Sequence, residues 1–175
     1  MITLRCTQKL LRRLGIANPE AVSTPPTCAL GNWYANLIYI GRAQMVMATS
    51  ARSLLTVLLP AADLRKSLAV NLADMTCLLL QEIGIDPDCA AREAAAMQPA
   101  LNARTESRSV LASMNDFALA LDWYWRDGLA PMEIMLRFAE TPKSALVTKG
   151  RPYANPVDVT RSLLEAAGNR ADAVA

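Results

Sequence analysis

The chain has 175 residues, 53% of them hydrophobic and 19% charged, with a net charge of +2 and no histidine. That length and apolar content exclude a disordered composition and suffice for a buried core. The missing histidine excludes Ser-His-Asp and Cys-His catalysis within the chain and removes the commonest ligand of zinc, copper and non-haem iron.

Residues 2–6 alternate Ile2, Leu4 and Cys6 with Thr3 and Arg5, which predicts a short strand at a sheet edge. Thr7 stands as N-cap of a helix to Leu14, and Gly15 follows where a terminating glycine belongs. Asn18-Pro19 and Ser23-Thr24-Pro25-Pro26 predict a loop over 16–31. The run Asn32 to Ile40 is the most strand-like stretch, and Gly41-Arg42 predicts a hairpin into a strand at 44–48. Ser50-Ala51-Arg52 connects to a third run, Leu54 to Leu59, ended by Pro60. Three strands joined this closely predict an antiparallel meander.

Asp63 is placed to cap a helix carrying Leu64, Leu68, Leu72, Met75, Leu79 and Ile83, with Gly84 as its stop. A shorter Ala-rich helix is predicted over 87–97, broken by Gln98-Pro99, and Asn102 to Glu106 reads as a polar connection. A second long helix spans Ser107 to Arg126, with Val110, Met114, Phe117 and Leu121 on its apolar stripe. Met132, Ile134, Leu136 and Phe138 alternate with their neighbours, which argues for a strand, with a short helix after Pro131 as the alternative. Residues 143–155 read as loop, and Pro156 suits the first position of a last helix ending near Ala167. The expected fold class is α+β: an antiparallel sheet of four to five strands with a meander core and helices packed mainly on one face. It forms a single domain over 1–168 with a frayed tail at 169–175.

Charge is uneven along the chain. Residues 1–66 carry 8 Lys+Arg against 2 Asp+Glu, whereas 67–140 carry 5 against 11. A basic first third suits a phosphate or nucleic-acid surface, or an acidic face of the same fold. Cys6, Cys28, Cys77 and Cys89 form no C-x-x-C pair and read as reduced, apolar-like residues. No apolar run of membrane-spanning length occurs, and Met1 to Cys6 lacks the features of a secretory signal. The expected location is cytoplasmic, with no membrane partner.

The opening Ile2-Thr3-Leu4-Arg5-Cys6-Thr7-Gln8-Lys9-Leu10-Leu11 and the later Trp33-Tyr34-Ala35-Asn36 resemble the RCTxKLL-like and WxAN motifs of a family of small, uncharacterised bacterial proteins, a domain of unknown function. Arg108 to Phe117 and Leu136 to Pro142 are similar to later pieces of that family, so the resemblance spans roughly 2–165. It implies common descent and no particular activity.

Three groups of residues are candidate sites. Arg5, Thr7 and Lys9 with Trp33 and Asn36 would suit an anion at a strand-to-helix junction, with Arg5 as a bidentate fork. The alternative is that Thr7 only caps, Arg5 pairs with an acid from 67–140, and Trp33 is core. Ser113, Asn115 and Asp116 with Arg137, Glu140 and Thr141 would suit an acidic cluster holding magnesium, or a buried polar network. Adjacent residues of the helical run Trp123-Tyr124-Trp125 point about 100° apart, so at least one is exposed or covered by a partner, where it would anchor a protein contact or stack a base; the alternative is packing against the C-terminal loop. With no resident cofactor or transition metal expected, the leading expectation is a non-enzymatic binding or regulatory module that contacts protein, a second copy included. The alternatives are a nucleic-acid-binding protein using the basic first third and a magnesium-dependent hydrolase or nuclease using Asp116 and Glu140.

Overall fold

A computed structural model describes residues 1–19, 25–143 and 153–172, the side chains at 63, 65–67 and 170–172 excepted. The chain runs β1 (Ile2–Cys6), α1 (Gln8–Leu14), β2 (Trp33–Ile40), β3 (Ala43–Ser50), β4 (Thr56–Pro60), α2 (Leu64–Glu82), α3 (Pro87–Ala96), β5 (Ala100–Arg104), α4 (Arg108–Arg126), α5 (Pro131–Glu140) and α6 (Pro156–Asp172). It is an α+β fold. Among the described residues no helix is long and apolar enough to cross a membrane.

The five strands form one sheet in the order β4-β3-β2-β1-β5. The sheet is mixed, which corrects the expectation of a purely antiparallel one: β2/β3 and β3/β4 are antiparallel, whereas β1 is parallel to both β2 and β5. The cause is the connections. Gly41-Arg42 forms a two-residue link, with Gly41 at φ +57° in the first central position, and returns the chain antiparallel. The link from β1 to β2 carries α1, and such a crossover joins parallel strands.

Strand β1 is therefore central rather than at an edge. Every one of its residues is buried, on both faces. Arg5, the charged residue of this buried strand, is paired by the largely exposed carboxylate of Glu106. The edge beyond β1 is β5, which replaces the polar connection expected over Asn102 to Glu106. An edge strand tolerates the polar Asn102 and Arg104 because one side is unpaired. Both faces of the sheet are covered, not mainly one: Ile2, Leu4 and Cys6 on one face and Thr3 and Arg5 on the other are all buried. Lys9 of α1 lies over the ring of Tyr39, while the Ser107 N–H that opens α4 donates to the Tyr34 hydroxyl. Tyr39 and Tyr34 are an odd number of residues apart on β2, so these two helices serve opposite faces.

The run 132–138 is helical, which corrects the strand reading and matches the alternative of a short helix after Pro131. Ile134, Met135, Phe138 and Ala139 are its buried face, a helical spacing that the alternating pattern also contained. Pro131 begins the helix, and the Glu133 carboxylate accepts the Ala130 N–H at 2.7 Å. α6 continues to Asp172, past the expected end near Ala167. Most of the predicted loop over 143–155, at 144–152, and the last three residues of the expected tail, 173–175, lie outside the described residues, whereas 169–172 belong to α6. The side chain of Asp63, which ends a 3-10 turn before α2, also lies outside them.

Candidate functional site

The first group is divided by the sheet. On one face, Arg5 Nη2 lies 2.7 Å from Glu106 Oε1, and Nη1 donates to the Arg104 carbonyl at 3.2 Å. Tyr34 registers with Arg5, and its hydroxyl accepts the Ser107 N–H. Burial raises the Tyr34 pKa, with the Ser107 contact and the Arg5 charge opposing. Thr7 Oγ1 donates to Asn36 Oδ1 at 2.9 Å rather than capping α1, and the Thr7 N–H donates to the Ala35 carbonyl. The strand-to-helix junction thus has its first N–H in use, and the fork of Arg5 is already filled. Trp33 registers with Leu4 on the other face and is fully buried, its Nε1 without a partner among the described residues. Lys9 and Asn36 do meet along one groove of about 390 Å³, whose far wall is Ala118 and Asp122 of α4.

The second group is dispersed over α4 and α5. Ser113 is buried and donates to the Ser109 carbonyl within its own helix. Asn115 and Asp116 are exposed, and Asp116 lies 3.8 Å from Lys143 Nζ. That amine also sits 4.2 Å from the centre of the Phe117 ring. Burial lowers the Lys143 pKa, and the Asp116 charge opposes the shift. Arg137 and Glu140 are exposed, and the Thr141 hydroxyl donates to the Arg137 carbonyl. Glu140 lines a groove of about 470 Å³ with Glu82 and Arg161, and Asp116 does not. Among the described residues no three Cys, Asp or Glu side chains gather into a metal-holding group.

The third group separates as adjacent helical positions must. Tyr124 and Trp125 are half-buried against the core, and the Tyr124 ring lies 6.0 Å from that of Phe138. Trp123 points away and is 72% exposed. One turn before it, Leu119 is also 72% exposed. The two stand opposite the buried stripe of Val110, Met114, Phe117 and Leu121, beside an exposed ion pair of 2.6 Å between Asp122 and Arg126. Sequence reasoning singled out Trp123 but missed Leu119. The signal was there: 119 and 123 share an i,i+4 spacing that is out of phase with the core stripe.

Glu93 of α3 was missed as well. Only 6% exposed, its two carboxylate oxygens accept the N–H groups of Ala29 at 2.9 Å and Leu30 at 2.7 Å. A groove of about 510 Å³ runs beside it, between Thr27, Cys89, Arg92 and the end of α6. Both oxygens are committed to the backbone, so this buried carboxylate fastens a loop rather than facing a ligand.

No curated protein and no solved structure matches the chain. A family model matches residues 3–159, which include all of the sheet but Ile2, together with α1 and α4. The chain belongs to that family, a domain of unknown function designated DUF6933.

Proposed function

We propose that the chain is a non-enzymatic binding or regulatory module that contacts another protein through the outer face of α4. The observation that carries this is the Leu119–Trp123 pair, each 72% exposed and one helical turn apart. Large apolar side chains held on a rigid helix are the usual centre of a protein contact, and tryptophan leads such anchors. Asp122 and Arg126 supply a polar rim. Covering the exposed part of a tryptophan of ~250 Å² removes enough surface from water for roughly 4 kcal/mol before the costs of association. The test is quantitative comparison of proteins retained from a cell extract by the wild-type chain and by a Leu119→Ser/Trp123→Ser variant of equal melting temperature. Identical sets from the two would remove the reading.

A second reading has its own observation. Gln8, Lys9, Arg12 and Arg13 are exposed on α1, and Lys9 stacks on the 55% exposed Tyr39. A basic helix beside an exposed ring suits nucleic acid. Affinity that falls steeply with salt, and a shallower slope in Arg12→Ala/Arg13→Ala, would support it. Salt-independent or undetectable binding would sink it.

A further inference from the structure

We infer that the outer face of α4 pairs with the same face of a second copy of this chain, antiparallel across a two-fold axis. This rests on the protein-contact reading above and names its partner. At about 100° per residue, Asp116, Leu119, Trp123 and Arg126 fall within an arc of about 80°. All four are exposed. Leu119 and Trp123 lie two residues either side of position 121, and Asp116 and Arg126 lie five either side. A two-fold axis at that position sets Leu119 against Trp123 of the second copy, and at the same time Asp116 against Arg126 of the second copy.

The charges decide the orientation and the occupant. Opposite signs at equal distances from an apolar centre make the stripe complementary to itself only when antiparallel. A parallel pair would place Asp116 on Asp116 and Arg126 on Arg126. Such an isologous contact closes on itself as a dimer. Asp116 and Arg126 each have an internal partner, Lys143 at 3.8 Å and Asp122 at 2.6 Å, yet their side chains remain 68% and 74% exposed. Exposed pairs of this kind are weak and leave the charges free to face a second molecule. One helix face is a contact of modest size, so the association is expected at the weak end of stable interfaces.

Sedimentation of the purified chain from ~5 to ~500 µM, a range suited to weak interfaces, reads the mass directly. The wild type is expected to reach twice the chain mass, and Trp123→Ser to weaken this at least ~10-fold, the loss of an anchor side chain. Asp116→Arg and Arg126→Asp are each expected to be monomeric. Their equimolar mixture is expected to dimerise, because one chain then carries two cations and the other two carboxylates at the facing positions. All four residues are exposed, so each variant is expected to fold, and a thermal melt of each checks this. A wild type that stays monomeric, a dimer that ignores Trp123→Ser or both charge changes, or a mixture that stays monomeric would overturn the pairing. If the pairing fails while a different protein is still bound in a Trp123-dependent way, the protein-contact reading stands without it. If Trp123→Ser alters neither, both fall.

Discussion

Replacing Glu93 tests the account of how the fold is held. The carboxylate is 6% exposed and accepts N–H groups from Ala29 and Leu30, the latter fully buried. Hydrogen bonds to a charged group contribute about 1.5–3 kcal/mol each, and a buried N–H left without an acceptor costs about 1–3 kcal/mol. Ala29 is half-exposed and can turn to water, but Leu30 cannot. Glu93→Ala should therefore cost about 4 kcal/mol. Glu93→Gln, which keeps one acceptor oxygen, should cost about 2 kcal/mol. For a chain of this length these correspond to melting shifts of roughly 12 °C and 6 °C. Urea unfolding at pH 7, followed by circular dichroism, measures both. Asp122→Ala is the control: its partner Arg126 is exposed, so the change should stay within about 0.5 kcal/mol. A Glu93→Ala variant as stable as that control would refute the reasoning.

Other predictions follow from burial. The Cys6 thiol is pushed up from 9.0 to about 12 by burial, and the Cys28 thiol likewise by burial and then by the Glu93 charge. On unfolding each thiol ionises near its ordinary value, so the stability they lend is complete below pH 9 and is lost as pH rises from 9 to 12. The loss at pH 10 should be about 1.4 kcal/mol per thiol, and a Cys6→Ala/Cys28→Ala variant should lose less over the same range in urea titrations. In thiol labelling of the native chain, half-buried Cys77 and Cys89 should react well before buried Cys6 and Cys28. Equal rates for all four would contradict the burial described. Trp33→Ala should cost about 4 kcal/mol as a core deletion, whereas Trp123→Ala should stay within about 0.5 kcal/mol, both read by urea unfolding.

Much of the local structure was legible because local rules determine it. Gly15 and Gly84 mark helix ends, Gly41-Arg42 marks the hairpin, and the leucines of α2 carry the helical period. The third candidate group was legible for the same reason, since 100° between neighbours forces one of Trp123, Tyr124 and Trp125 outward. What failed depends on contacts distant in sequence. The alternating run 2–6 reads as an edge strand, but its parallel partners lie in β2 and β5, whereas the Arg5–Glu106 pair is the pairing with an acid of 67–140 that the sequence also offers. Glu93 sat unnoticed in an Ala-rich helix because its loop partners precede it by more than sixty residues. α5 stayed open between two readings: Met132 to Ala139 is apolar at both the strand and the helix period, and only Pro131 with the Glu133–Ala130 bond decides for the helix.

The most direct test of the central claim, that α4 presents the contact surface, is site-specific photocrosslinking in cells making the chain. One version carries the photoreactive side chain at position 123 on α4 and another at position 12 on α1, both exposed in the fold. Protein adducts are expected from position 123, the copy–copy adduct among them and mapping to α4 of the second copy. Nucleic-acid adducts from position 12 with no protein adduct from 123, or indistinguishable adducts from both, would contradict that claim.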